Sequence, residues 1–191
     1  MPALLLALLL FTRPASTQSF FHALSDAGIA IIDPSIRYDA AYVSIPYPNG
    51  DVAAGKGVCT DVVIRAYRRL GIDLQREVHE DMVAHFDQYP ALWGLKKPDA
   101  NIDHRRVQNL QTFFAHRQAA LSVSQRAADY QPGDIVTWDL GHGIVHIGLV
   151  VDRLSAADSQ RHLIVHNIGA GQVLADCLFD FKITGHYRYR E

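Results

Sequence analysis

Helical periodicity governs the chain up to about residue 121, strand alternation governs the rest, and the switch falls at Tyr130. Such an order, helices first and strands second, predicts an α+β domain with N-terminal helices packed on a C-terminal antiparallel sheet. The clearest helix runs from Val58, with Val62, Ala66 and Leu70 recurring every four residues and Val63 and Tyr67 beside them. Gly71 follows where a left-handed C-cap belongs. Leu74, Val78, Met82 and Phe86 predict a second helix with Asp73 as N-cap, ending before Pro90. Val107, Leu110, Phe114 and Leu121 predict a third, and Phe20, Leu24 and Ala27, closed by Gly28, a short one near the start. Beyond the switch, Pro132-Gly133-Asp134 reads as a turn, and Ile135–Trp138, Val145–Val151 and Leu163–Asn167 as strands. In the tail Cys177, Phe179, Phe181 and Ile183 alternate with polar residues, which points Cys177 into a core.

The first residues do not belong to this pattern. Ala3 to Phe11 is an apolar run too short to span a bilayer as a helix and of the length of a signal-peptide core, with small and polar residues following it. Residues 1–18 are therefore expected to be a leader and 19–191 a single domain, exported to the periplasm or cell exterior and not stably inserted in a membrane. A net charge of −2 and scattered arginines leave no track for nucleic acid. Two cysteines are too few for a disulfide framework. A monomer is expected.

One of those cysteines has a reactive setting. Cys59 falls in the first turn of the clearest helix, where unpaired backbone N–H groups and the macrodipole favour thiolate, with Lys56 nearby. The irregular stretch from Asp33 to Gly57, rich in Pro and Tyr, is suited to one wall of a cleft. A cysteine nucleophile needs a base and a group that orients it. His146 on the long buried strand is the candidate base, and His166 or Asn167 on the next strand the orienter. Adjacent strand residues point to opposite faces, so only one of that pair can serve.

Other polar clusters are less decided. Asp61 either complements the helix start or binds a substrate ammonium. Asp103-His104-Arg105-Arg106 is either a solvated cap, with Asp103 beginning the third helix, or a pocket wall whose arginines grip a substrate carboxylate. His79-Glu80 begins a zinc-protease pattern, but the next histidine, His85, is six positions on instead of four. His79, Asp81, Asp103 and His104 are the remaining zinc candidates, and neither metal nor cofactor is expected.

The order Cys59, Pro132-Gly133-Asp134-Ile135-Val136, His146-Ile147-Gly148, Val165-His166 resembles the NlpC-type cell-wall cysteine peptidases, which have a papain-like fold. More closely, Gly57-Val58-Cys59-Thr60-Asp61, the Pro98-to-Arg106 segment, Gln131–Trp138 and His166-Asn167-Ile168-Gly169 resemble a family catalogued as domain of unknown function 1287. The superfamily resemblance implies Cys59 as nucleophile, His146 as base and His166 as orienter. It also implies amide hydrolysis, with peptidoglycan or a small peptide as substrate. Thr60-Asp61 departs from the small residues common after the cysteine in those peptidases. A metal-dependent amidase and a non-catalytic cell-wall binding module are the rival expectations, and acyl transfer is a variant of the first.

Overall fold

The computed structural model describes residues 17–191. The apolar run Ala3 to Phe11 lies outside them. Four helices, α1 (Thr17–Ile29), α2 (Cys59–Arg69), α3 (Leu74–His85) and α4 (Val107–His116), precede most of the strands. Two short strands, β1 (Arg37–Tyr38) and β2 (Lys56–Gly57), pair in parallel beside the start of α2. The main sheet holds β3 (Ala120–Leu121), β4 (Ile135–Asp139), β5 (Val145–Leu154), β6 (His162–His166), β7 (Val173–Ala175) and β8 (Lys182–Tyr187). Its order is β3-β8-β4-β5-β6-β7, antiparallel throughout. Among the described residues no helix is long and apolar enough to cross a membrane.

β5 is the spine, and its residues divide between two cores by the period of two. Ile147, Leu149 and Val151 face α1 and α2, joining Leu24, Val62, Ala66 and Tyr67. Val150 faces the other way, with Trp138, Ile164, Leu178 and Tyr130. Each such large side chain, fully buried, contributes about 1.5–3 kcal/mol. Gly28 is the point of closest approach: a Cβ there would stand 2.5 Å from Leu149 Cδ2. Gly28 therefore serves packing and does not stop the helix, which continues to Ile29.

α2 is fixed at both ends. The Asp61 carboxylate accepts the Val58 backbone N–H at 2.7 Å, filling one open position of the first turn. At the other end Gly71 takes φ +82°, donating to Arg68 O at 3.0 Å while Ile72 donates to Tyr67 O at 3.2 Å, a Schellman closure. In α3 the Asp73 side chain accepts from Gln75 N as expected.

α4 departs from the expectation at both ends. Asp103 does not cap it; Asp103–Arg105 form a separate 3₁₀ turn and the helix starts after Arg106. It stops at His116 because the chain turns through Gln118 at φ 55°, and Leu121 is then an exposed residue of β3 paired to β8. In the tail, residues 177–181 turn back on themselves, with Asp180 N–H donating to Cys177 O, and the strand begins only at Lys182. Cys177 is nonetheless buried in the second core, as its spacing suggested.

Candidate active site

Cys59 is the first residue of α2 and lies on the floor of a cavity of about 210 Å³ walled by Tyr38, Trp93, Arg105, Arg106, Gly143 and Val145. The backbone N–H groups of Ile147 and Thr60 and the Tyr38 hydroxyl lie on its side of the cavity and favour its ionised form. The Ile147 donor is free for a topological reason. Even-numbered residues of β5 turn their N–H toward β4, as Val150 does to Asp134 O, so odd ones turn toward β6. With Leu149 opposite Val165, Ile147 would face residue 167, but β6 has ended at His166.

Burial pushes the Cys59 thiol up to about 11, and the Asp61 carboxylate adds to this against the three donors. The thiolate expected from the helix start is thus not the resting form: desolvation outweighs the first-turn N–H groups. Burial likewise pushes Tyr38 up to about 12, with Cys59 beside it contributing. Lys56 gives the thiol no help, since its ammonium is paired with Asp39 at 2.8 Å.

His146 and His166 do come together. His146 Nε2 and His166 Nδ1 share a hydrogen bond of 2.8 Å, and the Trp138 ring lies over His146 at 5.7 Å between centroids. His166 Nε2 is 4.0 Å from Cys177 Sγ, so the pair continues into the second core. Burial, reinforced by His166, pushes His146 down to about 3, and burial lowers His166 as well; both rings are neutral near pH 7. Asn167 turns to the opposite face. Its Oδ1 accepts Gly169 N–H at 3.0 Å and its Nδ2 reaches Gly57 O at 3.5 Å, which ties the turn to the strand before α2. His166, and not Asn167, is therefore the residue touching His146.

Cys59 and the histidine pair meet β5 from different directions. The thiol touches β5 at the Ile147 backbone, one residue along from His146, and belongs to the helix-side core. The His146 ring lies with Trp138 on the other side. Among the described residues no hydrogen bond joins Cys59 to His146. His166 occupies Nε2 of His146, which leaves Nδ1 as the other ring nitrogen.

The four expected substrate-binding residues fare differently. Asp61 is locked: Arg105 Nε and Nη2 grip its two oxygens at 3.0 Å each, and both side chains are buried. A carboxylate with its charge matched and its lone pairs filled has nothing to offer an ammonium. Arg105 still forms part of the cavity wall. Asp103 is fully buried away from the cavity, held by His79 Nδ1 at 2.7 Å and Asp99 N–H at 2.8 Å. His104 is also a core residue, pushed down to about 3 by burial and then by Arg105.

The zinc candidates separate as well, because Asp103 takes His79 while Asp81 sits with His85 and His116. Tyr38 and Arg106 line the cavity, as their stretches allowed, while Trp93 was not foreseen; the Arg106 guanidinium lies 4.5 Å over its ring. The irregular stretch around Trp93 carried no period to place it.

An α+β domain with a buried cysteine opening a helix against the central strand, and a histidine pair on that strand and the next, defines the class. The chain belongs to the family described as domain of unknown function (DUF1287), matched over residues 25–189, a span that holds every residue of the site. A relative from Escherichia coli (strain K12), the uncharacterized protein YijF, is 49% identical over 167 residues, 87% of this chain and 80% of that protein. No solved structure matches the chain.

Proposed function

We propose that this protein is an exported cysteine hydrolase that cleaves an amide bond, with peptidoglycan peptides as its substrate class and an NlpC-type, papain-like placement of its fold. The observation that carries the reading is Cys59 at the cavity floor, held against β5 one residue from a hydrogen-bonded histidine pair. Export rests on the leader pattern and the substrate class on the resemblance to cell-wall peptidases, which is analogy of fold and motif.

In this reading the Cys59 proton passes to His146 Nδ1 around the end of β5, by way of one bridging water, as sulfur bonds to the substrate carbonyl carbon. His146 Nε2–H donates to His166 Nδ1, which fixes the tautomer that leaves Nδ1 open. The Cys59 backbone N–H, unpaired in the first turn, supplies one donor to the developing oxyanion, and the Tyr38 hydroxyl is placed for a second. Collapse of the tetrahedral species breaks the C–N bond and returns the proton to the leaving amine. Water then loses a proton to His146 as it attacks the thioester, which releases the acid and restores the thiol. Burial disfavours both the thiolate and the imidazolium, so in this reading proton transfer accompanies the attack on the carbonyl.

The neutral thiol, with no hydrogen bond to His146, equally suits a non-catalytic cell-wall binding module. Incubation with purified peptidoglycan fragments and mass spectrometry of the products separates the readings. Hydrolysis that survives EDTA and disappears in Cys59→Ala supports the proposal. Fragments bound but unchanged favour the binding module, and turnover abolished by chelation and restored by zinc favours a metal amidase.

A further inference from the structure

Far along the chain from Cys59, two helices end at the same place. α3 closes on His85 and α4 on His116, each the last residue of its helix. Asp81, one turn before His85, projects from α3 between them. His116 Nδ1 lies 2.6 Å from Asp81 Oδ2, and His85 Nδ1 lies 3.6 Å from Asp81 Oδ1. The two imidazole rings stand 5.4 Å apart, and ligand-capable atoms of all three residues fall within 4.8 Å of one another.

We infer that Asp81, His85 and His116 form a binding site for a borderline divalent transition cation such as Zn²⁺. Two imidazoles and one carboxylate suit zinc, cobalt, nickel or copper, and not the oxygen-seeking magnesium or calcium. A tetrahedral zinc with ligands at about 2.0–2.2 Å needs donor separations of roughly 3.4 Å, so closure asks for about 1 Å of side-chain adjustment. His85 is half exposed and has room to make it. The site opens into a cavity of about 340 Å³ that Gln88 also lines, which leaves the fourth position for its amide or for water.

The placement of the surrounding groups supports a cation here over a plain hydrogen-bonded cluster. The C-terminal ends of α3 and α4 both direct their negative dipole ends at this spot. The Asp81 carboxylate is buried and stands between the two imidazoles, within reach of both. Tyr89 donates its hydroxyl to Asp81 Oδ2 at 2.7 Å, an outer partner that fixes the carboxylate's orientation. Among the described residues the competing cation at this spot is Arg117. It stands 3.9 Å from Asp81 Oδ1, is half exposed, and lies over the Phe113 ring, where it can remain when a metal enters.

A metal at this point would pin together the ends of α3 and α4. Residues 86–106, which link the two helices, bring Trp93, Arg105 and Arg106 to the Cys59 cavity. The role is that of a clamp outside the reaction. It does not depend on the proposed chemistry at Cys59.

The test is titration of the full-length, EDTA-stripped protein with Zn²⁺, followed by calorimetry and melting, and with Co²⁺, followed by visible absorption. One equivalent of Zn²⁺ should bind and raise the melting point by about 5–10 °C at one hundred times Kd. His85→Ala and His116→Ala should each weaken binding by at least about 100-fold, and Tyr89→Phe by about 10-fold as an outer-shell loss. Cys59→Ala should bind as wild type, and the Co²⁺ complex should lack a thiolate charge-transfer band. Circular dichroism of each variant guards against misfolding, with Gln substitutions at both histidines as milder replacements. Absence of a one-to-one complex, unchanged binding in both histidine variants, or a cobalt–thiolate band placing the metal at Cys59 overturns the inference.

Discussion

Replacing Asp61 by Asn removes one charge from a pair that is almost wholly out of water. In the folded protein Arg105 holds both Asp61 oxygens at 3.0 Å, and the side chains are 2% and 4% exposed. Asn keeps an oxygen for the Val58 N–H, so the helix start survives and the loss is concentrated on the stranded guanidinium. Removing one partner of a buried pair costs about 3–5 kcal/mol. For a domain of this size that corresponds to a fall in melting temperature of roughly 6–20 °C. The double replacement Asp61→Leu with Arg105→Met removes both charges and should recover much of the loss, because no uncompensated ion remains. Thermal unfolding followed by circular dichroism, at matched concentration and pH, measures all three. A melting point for Asp61→Asn within about 1–2 °C of wild type, the range of an inconsequential surface change, would contradict the structural role. A raised KM with intact stability would restore Asp61 as a substrate contact.

Iodoacetamide labelling of Cys59 should accelerate about tenfold per pH unit until near pH 11, with Cys177, pushed up to about 12 mainly by burial, slower still. A labelling rate already level at pH 8 would show that the helix start wins over burial. Stability should fall between pH 8 and pH 5. His104 and His146 have folded values near 3, below the unfolded value of about 6.5, so the unfolded chain takes up the protons first. Each imidazole should cost about 2 kcal/mol at pH 5, measured by urea melts, and His104→Gln that folds should flatten the slope by that amount. A pH-independent midpoint across this window would refute the buried neutral assignment. His166→Ala should lower kcat by up to about 10⁴ with the fold retained, while Asn167→Ala should cost mainly stability, on the order of 1 kcal/mol. The reverse pattern would make asparagine the orienter.

What the sequence disclosed was whatever repeats with a local period. The four-residue spacing from Val58 to Leu70 located α2, and Gly71 marked its end because few other residues adopt φ +82° without strain. Period two put His146 and His166 on one face and Asn167 on the other. Leu121 shows the failure of the same rule. Its spacing suited a helix, but Gln118 took the left-handed position usually given to glycine and ended α4 early. Pairs distant in the chain carried no period at all. Asp61 and Arg105 are 44 residues apart, and nothing near either announces the other. The short edge strands β3 and β7 are made by pairing with β8 and β6 and have too few residues to show alternation. The thiol's environment was the largest miss, since the first-turn position was legible while the burial that overrides it depends on β5, Tyr38 and the walls of the cavity.

The central claim is that Cys59 forms a covalent bond to substrate. Its most direct test is intact-mass spectrometry of protein quenched in acid during turnover of peptidoglycan fragments, with proteolysis to locate any adduct. The account predicts an acyl adduct on Cys59 that is removed by hydroxylamine, accumulates when His166 is replaced by Ala, and is absent in Cys59→Ala. Turnover with no adduct under any quench, or product formed by Cys59→Ala at the wild-type rate, would contradict it.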